Sequence, residues 1–529
     1  MTDRHAGIIV PIFSLRSEEG WGIGELPDIA IVARWMEQAA LDRLMCLPLG
    51  TMPEGGQTSP YAAVSTLAID PLYVRVGGLP DFVAAGGTAS LSAGANAAID
   101  EARHAPSVRH DLVWQAKREA LGLAFARFLE HEWRRDTSRA GALREYAARQ
   151  ACWLDDYALF LALRERHGSV SWRQWPSPLA GRDAEALAAA RDELGEPVLY
   201  HQWTQWIADE QWQQARDAAR RHGVAIVGDL PFVAGGDSPE VWARPDEYLL
   251  DVSAGVPPDA FSATGQDWGL PTYNWPVIAA GGYEWQRQRG GRMRELFDGL
   301  RVDHVIGLFR TYGRPASGDP YFTPAEEADQ IAQGRTILGI LAGSGLDLIA
   351  EDLGAVPDFL QGVLADLRVP GCKVMRWERL WAEPGAPFID PAEYAELSAA
   401  MTGTHDTEPL AVWWRTCSDD DRRAWMLVLE GEVPIELPGW SDELRDRMLA
   451  CAYRAGSAEL YMLVQDVFGW PDRINVPGTV GPENWTWVLP WPVERLFDDP
   501  LAIDRAHLLR DLARQHARVP RAAPSSGAE

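Results

Sequence analysis

Arg301 and Asp303 stand two places apart in RVDHVIGLF, a stretch otherwise rich in apolar and β-branched residues. Alternate side chains of a strand face the same way, so two opposite charges are presented together while Val302 points to the other side. Other apolar runs also close on polar residues. Asp229 ends IVGD, Glu351 and Asp352 end LIAED, His405 and Asp406 end TGTHD, and Gln465 and Asp466 end LVQD. Carboxylates gathered beside apolar strands lose water and repel one another, so such a cluster needs cations, hydrogen bonds or a function to hold it. Arg301 is the partner expected to keep Asp303 ionised. A second carboxyl in a less polar setting would keep its proton and act as an acid.

One ionised and one protonated carboxyl form the pair used in glycosidic bond chemistry. A metal site built from Asp229, Asp303, Glu351, His405 and Asp406 is the competing reading, but neither HExxH spacing nor a helical His pair accompanies these residues, and no metal or cofactor is expected. The chain also carries 24 Trp among 529 residues. Their flat faces match the C–H faces of pyranose rings, although core filling is their commoner use.

The elements that must position these groups recur as short apolar segments with helical stretches between them. They are 6–15, 44–50, 223–232, 299–309, 346–354, 371–377, 400–407 and 459–469. Near-continuous apolar character means both faces of each strand are covered, and eight such strands predict a closed (β/α)₈ barrel, of α/β class. The C-terminal strand ends of that barrel surround one pocket, where these carboxylates would converge.

The spacing predicts one catalytic barrel over 1–518 with two insertions. The first, about 75–220, is mostly helical; Leu121, Phe125, Phe128 and Leu129 fall on one helical face there. The second, 233–298, is a loop-rich lid dense in Pro, Gly and aromatic residues. Residues 519–529, ending RAAPSSGAE, have the composition of a disordered tail.

Lys and Arg total 49 against 76 Asp and Glu, a formal net charge of −27. That balance repels phosphate backbones and anionic lipid, so nucleic acid and membrane partners are not expected. Five cysteines without CxxC spacing, and an N-terminus without a signal-peptide pattern, lead to the expectation of a cytoplasmic protein, monomer or homodimer.

Several blocks in one order resemble the 4-α-glucanotransferase (amylomaltase) family, glycoside hydrolase family 77. They are GWGIGELPD (20–28), SPYAAVSTLAIDPLYV (59–74), VGDLPFVAGGDSPEVW (227–242), GVPPDAFSATGQDWGLPTYNW (255–275), RVDHVIGLF, IAEDLG, TGTHDT and RINVPGTVGPENW (473–485). The resemblance implies that Asp303 is the nucleophile, Glu351 the general acid/base and Asp406 the transition-state stabiliser. It further implies that Tyr61, Asp229, Arg301, His405 and Asn475 bind sugar, with Gln266 and Trp268 contributing from the lid. The implied reaction is retaining transfer of a 1,4-α-glucan segment to the 4-hydroxyl of glucose or a maltodextrin. An α-amylase-like retaining hydrolase and an inactive glucan-binding protein are the alternatives. Family members commonly carry an aromatic before Phe261, where this chain has Ala260.

Overall fold

All eight apolar segments form strands, each shorter than the run that announced it. The computed structural model describes residues 3–53, 58–258, 264–354 and 356–520. Its strands are β1 (Gly7–Ile9), β2 (Arg43–Met45), β3 (Ala225–Leu230), β4 (Tyr248–Val256), β5 (Gln266–Tyr273), β6 (Gly299–Val302), β7 (Thr311–Pro315), β8 (Tyr321–Thr323), β9 (Asp347–Ala350), β10 (Gly371–Val374), β11 (Ser398–Met401) and β12 (Glu459–Leu463). Strands β1, β2, β3, β6, β9, β10, β11 and β12 pair in parallel, in that order, and close on themselves as a (β/α)₈ barrel. The remaining four form an antiparallel sheet in the order β5-β4-β7-β8.

Parallel register decides which side chains meet. Asp229 on β3 lies opposite Arg301 on β6, and Val302 lies opposite Ala350 on β9. Asp303 follows Val302 and Glu351 follows Ala350, so the two carboxyls leave the barrel from neighbouring strands at one level.

Two expected strands end early. The run 299–309 leaves the sheet at Val302 and continues as a short helix, Ile306–Phe309; the run 459–469 does the same after Leu463, with the helix Val464–Phe468. An unbroken apolar run does not distinguish a buried strand from a buried helix turn. Asp303 therefore sits just past its strand, and His304 turns the chain with a φ of 47°. Gly307 makes the turn possible, because a Cβ there would come within 2.6 Å of the Phe232 ring and 2.7 Å of His304.

Helices from Pro80 to Arg221 fill the stretch between β2 and β3. In the longest of those preceding residue 130, His110–Phe128, Leu121, Phe125 and Phe128 are buried. Lys117 is buried on the same helix and donates to the carbonyls of Leu72 and Val74, with its ammonium 2.7 Å from Glu25. Glu25 in turn meets Arg75 at 2.8 Å, and Arg75 also grips Asp28. Paired charges thus dock the helical segment on the GWGIGELPD loop. Ala260, Phe261 and residues 521–529 lie outside the described residues. Among the described residues no helix is long and apolar enough to cross a membrane.

The barrel's seam between β12 and β1 is bound by Arg518, which is fully buried and donates to the carbonyls of His5, Tyr453, Ala455, Ser457 and Ala458 at 2.7–3.1 Å. Replacing it by Met removes all five of these hydrogen bonds. Arg518→Met should lower unfolding free energy by about 3–5 kcal/mol, read by urea denaturation; a loss under about 1 kcal/mol would show that the seam closes without it.

Candidate active site

A cleft of about 2140 Å³ opens at the C-terminal ends of the barrel strands. Arg301, Asp303, Glu351, His405 and Asp406 line it, together with Tyr61, Gln266, Trp268 and Asn475. Asp229 lies behind them, buried, and reaches the cleft through its partners.

The buried guanidinium of Arg301 organises one wall. Its Nη1 donates to both oxygens of Asp229, at 2.8 and 2.7 Å, and to Asp303 Oδ1 at 2.9 Å. Burial works against this charge, but Asp229 and Asp303 outweigh it and hold Arg301 protonated well above its ordinary range. Tyr61 donates its hydroxyl to Asp229 Oδ2 at 2.7 Å. Its ring stacks on His405 with centroids 4.9 Å apart, and Trp485 packs against both rings.

Glu351 has a different setting. Its oxygens accept backbone N–H groups of His304, at 2.9 Å, and Leu353, at 3.0 Å. Burial pushes its carboxyl up; Arg301 pulls it down and the charge of Asp303 pushes it up again, to a pKa of about 7. The neighbouring Asp352 is committed elsewhere. Cys372 N–H and Gln361 Nε2 bind its two oxygens, and it packs so closely on Gly371 that a Cβ there would lie 2.2 Å from Oδ2. Glu351 is thus the member of the pair set beside Asp303.

Asp406 is held by the segment 473–475. Asn475 Nδ2 donates to Asp406 Oδ1 at 2.6 Å, and Arg473 donates to its carbonyl at 2.7 Å. His405 Nε2 lies 3.5 Å from Asp406 Oδ2. The chemistry available here is nucleophilic attack by one carboxylate, proton transfer by a second at neutral pH, and hydrogen bonding by a third.

On β5, Trp268 Nε1 donates to Gln266 Oε1 at 3.1 Å. The Trp268 ring meets His304 edge-on at 4.8 Å. Among the tryptophans of these segments, Trp268 and Trp485 line the cleft, whereas Trp275 and Trp487 are buried in packing. Gln465 and Asp466, also strand-end residues, do not line it. Asp466 is buried and binds Thr402 Oγ1 and the Leu410 N–H, both at 2.6 Å.

Sequence reasoning did not single out His304, Phe232, Trp377 or Arg473. The position of His304 directly after Asp303 was a signal for it. The others occupy loops whose conformation no periodicity describes.

Comparison with known proteins gives one consistent result. The family model described as 4-alpha-glucanotransferase matches residues 10–493. A protein of Synechocystis named 4-alpha-glucanotransferase is 33% identical over 503 residues, covering 92% of this chain and 93% of its own. One of Thermus thermophilus with that name is 31% identical over 502 residues, covering 92% and 93%. The structure of an amylomaltase from Streptococcus agalactiae in complex with acarbose superposes with a TM-score of 0.81 at 26% identity, covering 98% of this chain and 100% of that one.

The position of Asp303 predicts that its charge raises the Glu351 pKa. Asp303→Asn should lower that pKa below about 7 by removing the charge. Carboxyl ¹³C NMR titration, with Glu351→Gln as the blank that assigns the signal, reads the change; an unmoved or higher value would mean the two groups do not sense each other.

Proposed function

The chain belongs to the 4-alpha-glucanotransferase family and is an enzyme of that type, and from that premise we propose how its residues divide the work. Asp303 attacks the anomeric carbon of an α-1,4-linked glucose. The bond from that carbon to the leaving glycosidic oxygen breaks, and the oxygen takes the proton of Glu351. The product is a glycosyl ester on Asp303 and a shortened glucan carrying a free 4-hydroxyl.

Forming the ester removes the negative charge that raised Glu351. Its carboxylate, now easier to keep ionised, takes the proton from the incoming 4-hydroxyl while that oxygen displaces Asp303. One residue thereby serves as acid and then as base. Asp406, fixed by Asn475 and Arg473, accepts hydroxyl hydrogen bonds that tighten as positive charge develops at the anomeric carbon. Tyr61, His405 and Arg301 hold the reacting ring, with Asp229 keeping Arg301 in place. Gln266 and Trp268 contact sugar from β5. In this division Asn475 acts on substrate chiefly through Asp406, to which its amide is already bonded.

What supports this reading above all is the pairing of Asp303 and Glu351 from adjacent strands in unlike environments, one against a guanidinium and the other dry enough to titrate near neutrality. The partners are α-1,4-glucans and maltooligosaccharides. All five cysteines are unpaired, which suits the reducing interior of a cell and supports a cytoplasmic location.

Purified chain given maltotriose should release glucose and build longer oligosaccharides; products that are only shorter sugars would indicate hydrolysis instead. Glu351→Gln should cut kcat on maltooligosaccharides about 10²–10⁴-fold, yet slow much less the burst of fluoride released in the first step from an α-maltosyl fluoride, whose leaving group needs no proton. For the wild type, kcat/KM should fall as pH rises through about 7, because the first step needs Glu351 protonated and that form is lost above its pKa. A flat profile to pH 9 would remove Glu351 from the acid's role.

A further inference from the structure

Trp381 is the most exposed aromatic among the described residues, 72% open to solvent, and it lines the cleft. It is not a loose tip. Its loop follows β10 and folds back on itself through the Arg379–Phe388 bridge and the hydrogen bond from Leu380 N–H to the Pro387 carbonyl at 2.9 Å. Arg379 sits 3.7 Å over the Phe388 ring and 5.8 Å from that of Trp381, and is anchored by Asp421. The base of the indole is therefore fixed while its face meets water, a poor arrangement for packing and a suitable one for a ligand face.

The neighbours indicate which ligand. Trp377, four residues earlier, also lines the cleft, as do Lys373 and Glu378, which pair at 3.2 Å. Flat apolar faces together with charged hydrogen-bonding groups suit a chain of pyranoses, which presents both C–H faces and hydroxyl rims. Strand β10 adjoins β9, which carries Glu351, so this track runs out on the side where the leaving oxygen is protonated and the acceptor hydroxyl arrives. We propose that Trp381 is an outer stacking platform for a distal glucose unit of long α-1,4-glucans on the leaving-group and acceptor side, and that it sets this chain's preference for longer substrates. The proposal rests on the reading of the cleft as a glucan site and adds chain-length selection to it.

Trp381→Ala and Trp381→Phe, compared with wild type on maltotriose and on maltoheptaose, test it. A lost stacking contact of 0.5–1.5 kcal/mol corresponds to about two- to tenfold. Trp381→Ala should raise KM for maltoheptaose by that factor relative to its effect on maltotriose, with kcat changed little, and Trp381→Phe should recover most of the difference. Equal losses on both sugars, or a fall confined to kcat, would overturn the platform. Wild-type chain that does not disproportionate maltotriose would instead overturn the glucanotransferase mechanism, whatever Trp381 does.

Discussion

The contact on which this structure depends is the shared guanidinium of Arg301, buried between Asp229 and Asp303. A lone buried arginine costs several kcal/mol in lost hydration, and so does each carboxylate; together they are tolerated because each supplies the other's missing solvent. The arrangement demands that β3 and β6 be neighbours in one register, since Asp229 must lie opposite Arg301. The closed barrel meets that demand without an exposed edge. Slipping β6 by one residue would turn Arg301 to the other face of the sheet and leave Asp229 buried and unpaired. The charges of the site and the register of the barrel are thus two expressions of one constraint.

From that constraint follows the inequality between the two central carboxyls. Asp303 takes a hydrogen bond from the guanidinium directly, while Glu351 has only backbone N–H partners and a drier setting. Glu351 is also within reach of the Asp303 charge, so the protonation of one depends on the covalent state of the other. In the proposed mechanism no moving part is needed to change Glu351 from acid to base. The proposed esterification of Asp303 would do it, because the negative charge that favours the proton on Glu351 would be gone.

Much of this was legible in the sequence, for identifiable reasons. Strands buried on both faces read as apolar runs, so all eight were visible, and the carboxylates stood out because polar residues at the ends of such runs are costly. What could not be read was where a run ceases to be a strand. The left-handed turn at His304 has no composition of its own beyond the Gly307 that accommodates it, yet it sends the His304 N–H to Glu351 and its ring to Trp268. Sequence also offered Glu351 and Asp352 side by side with equal chemistry. The choice between them is made by the Cys372 N–H and Gln361, residues from other elements that occupy Asp352. Likewise Trp275 and Trp487 could not be told from Trp268 and Trp485 by type; only three-dimensional packing separates rings that fill the core from rings that face the cleft.

The edge-on contact of Trp268 with His304 bears on the last choice the chemistry has to make, between a sugar hydroxyl and water. Any oxygen nucleophile can open a glycosyl ester, and water outnumbers sugar. An acceptor wins when binding holds its hydroxyl at the anomeric carbon and its surroundings are dry. His304 is kept neutral by burial, its pKa lowered to about 4 against the pull of Asp303, so it meets the Trp268 ring as an uncharged aromatic, with Phe232 edge-on to both rings at 5.6 and 6.5 Å. The three rings form an apolar shoulder directly beside Asp303, the proposed nucleophile, built from the turn after β6, the loop after β3 and the strand β5. An uncharged, packed shoulder there offers water few hydrogen-bonding partners, whereas a glucan brings its own apolar faces to it. In the proposed mechanism, selection of transfer over hydrolysis is tied to the turn whose His304 N–H also binds Glu351.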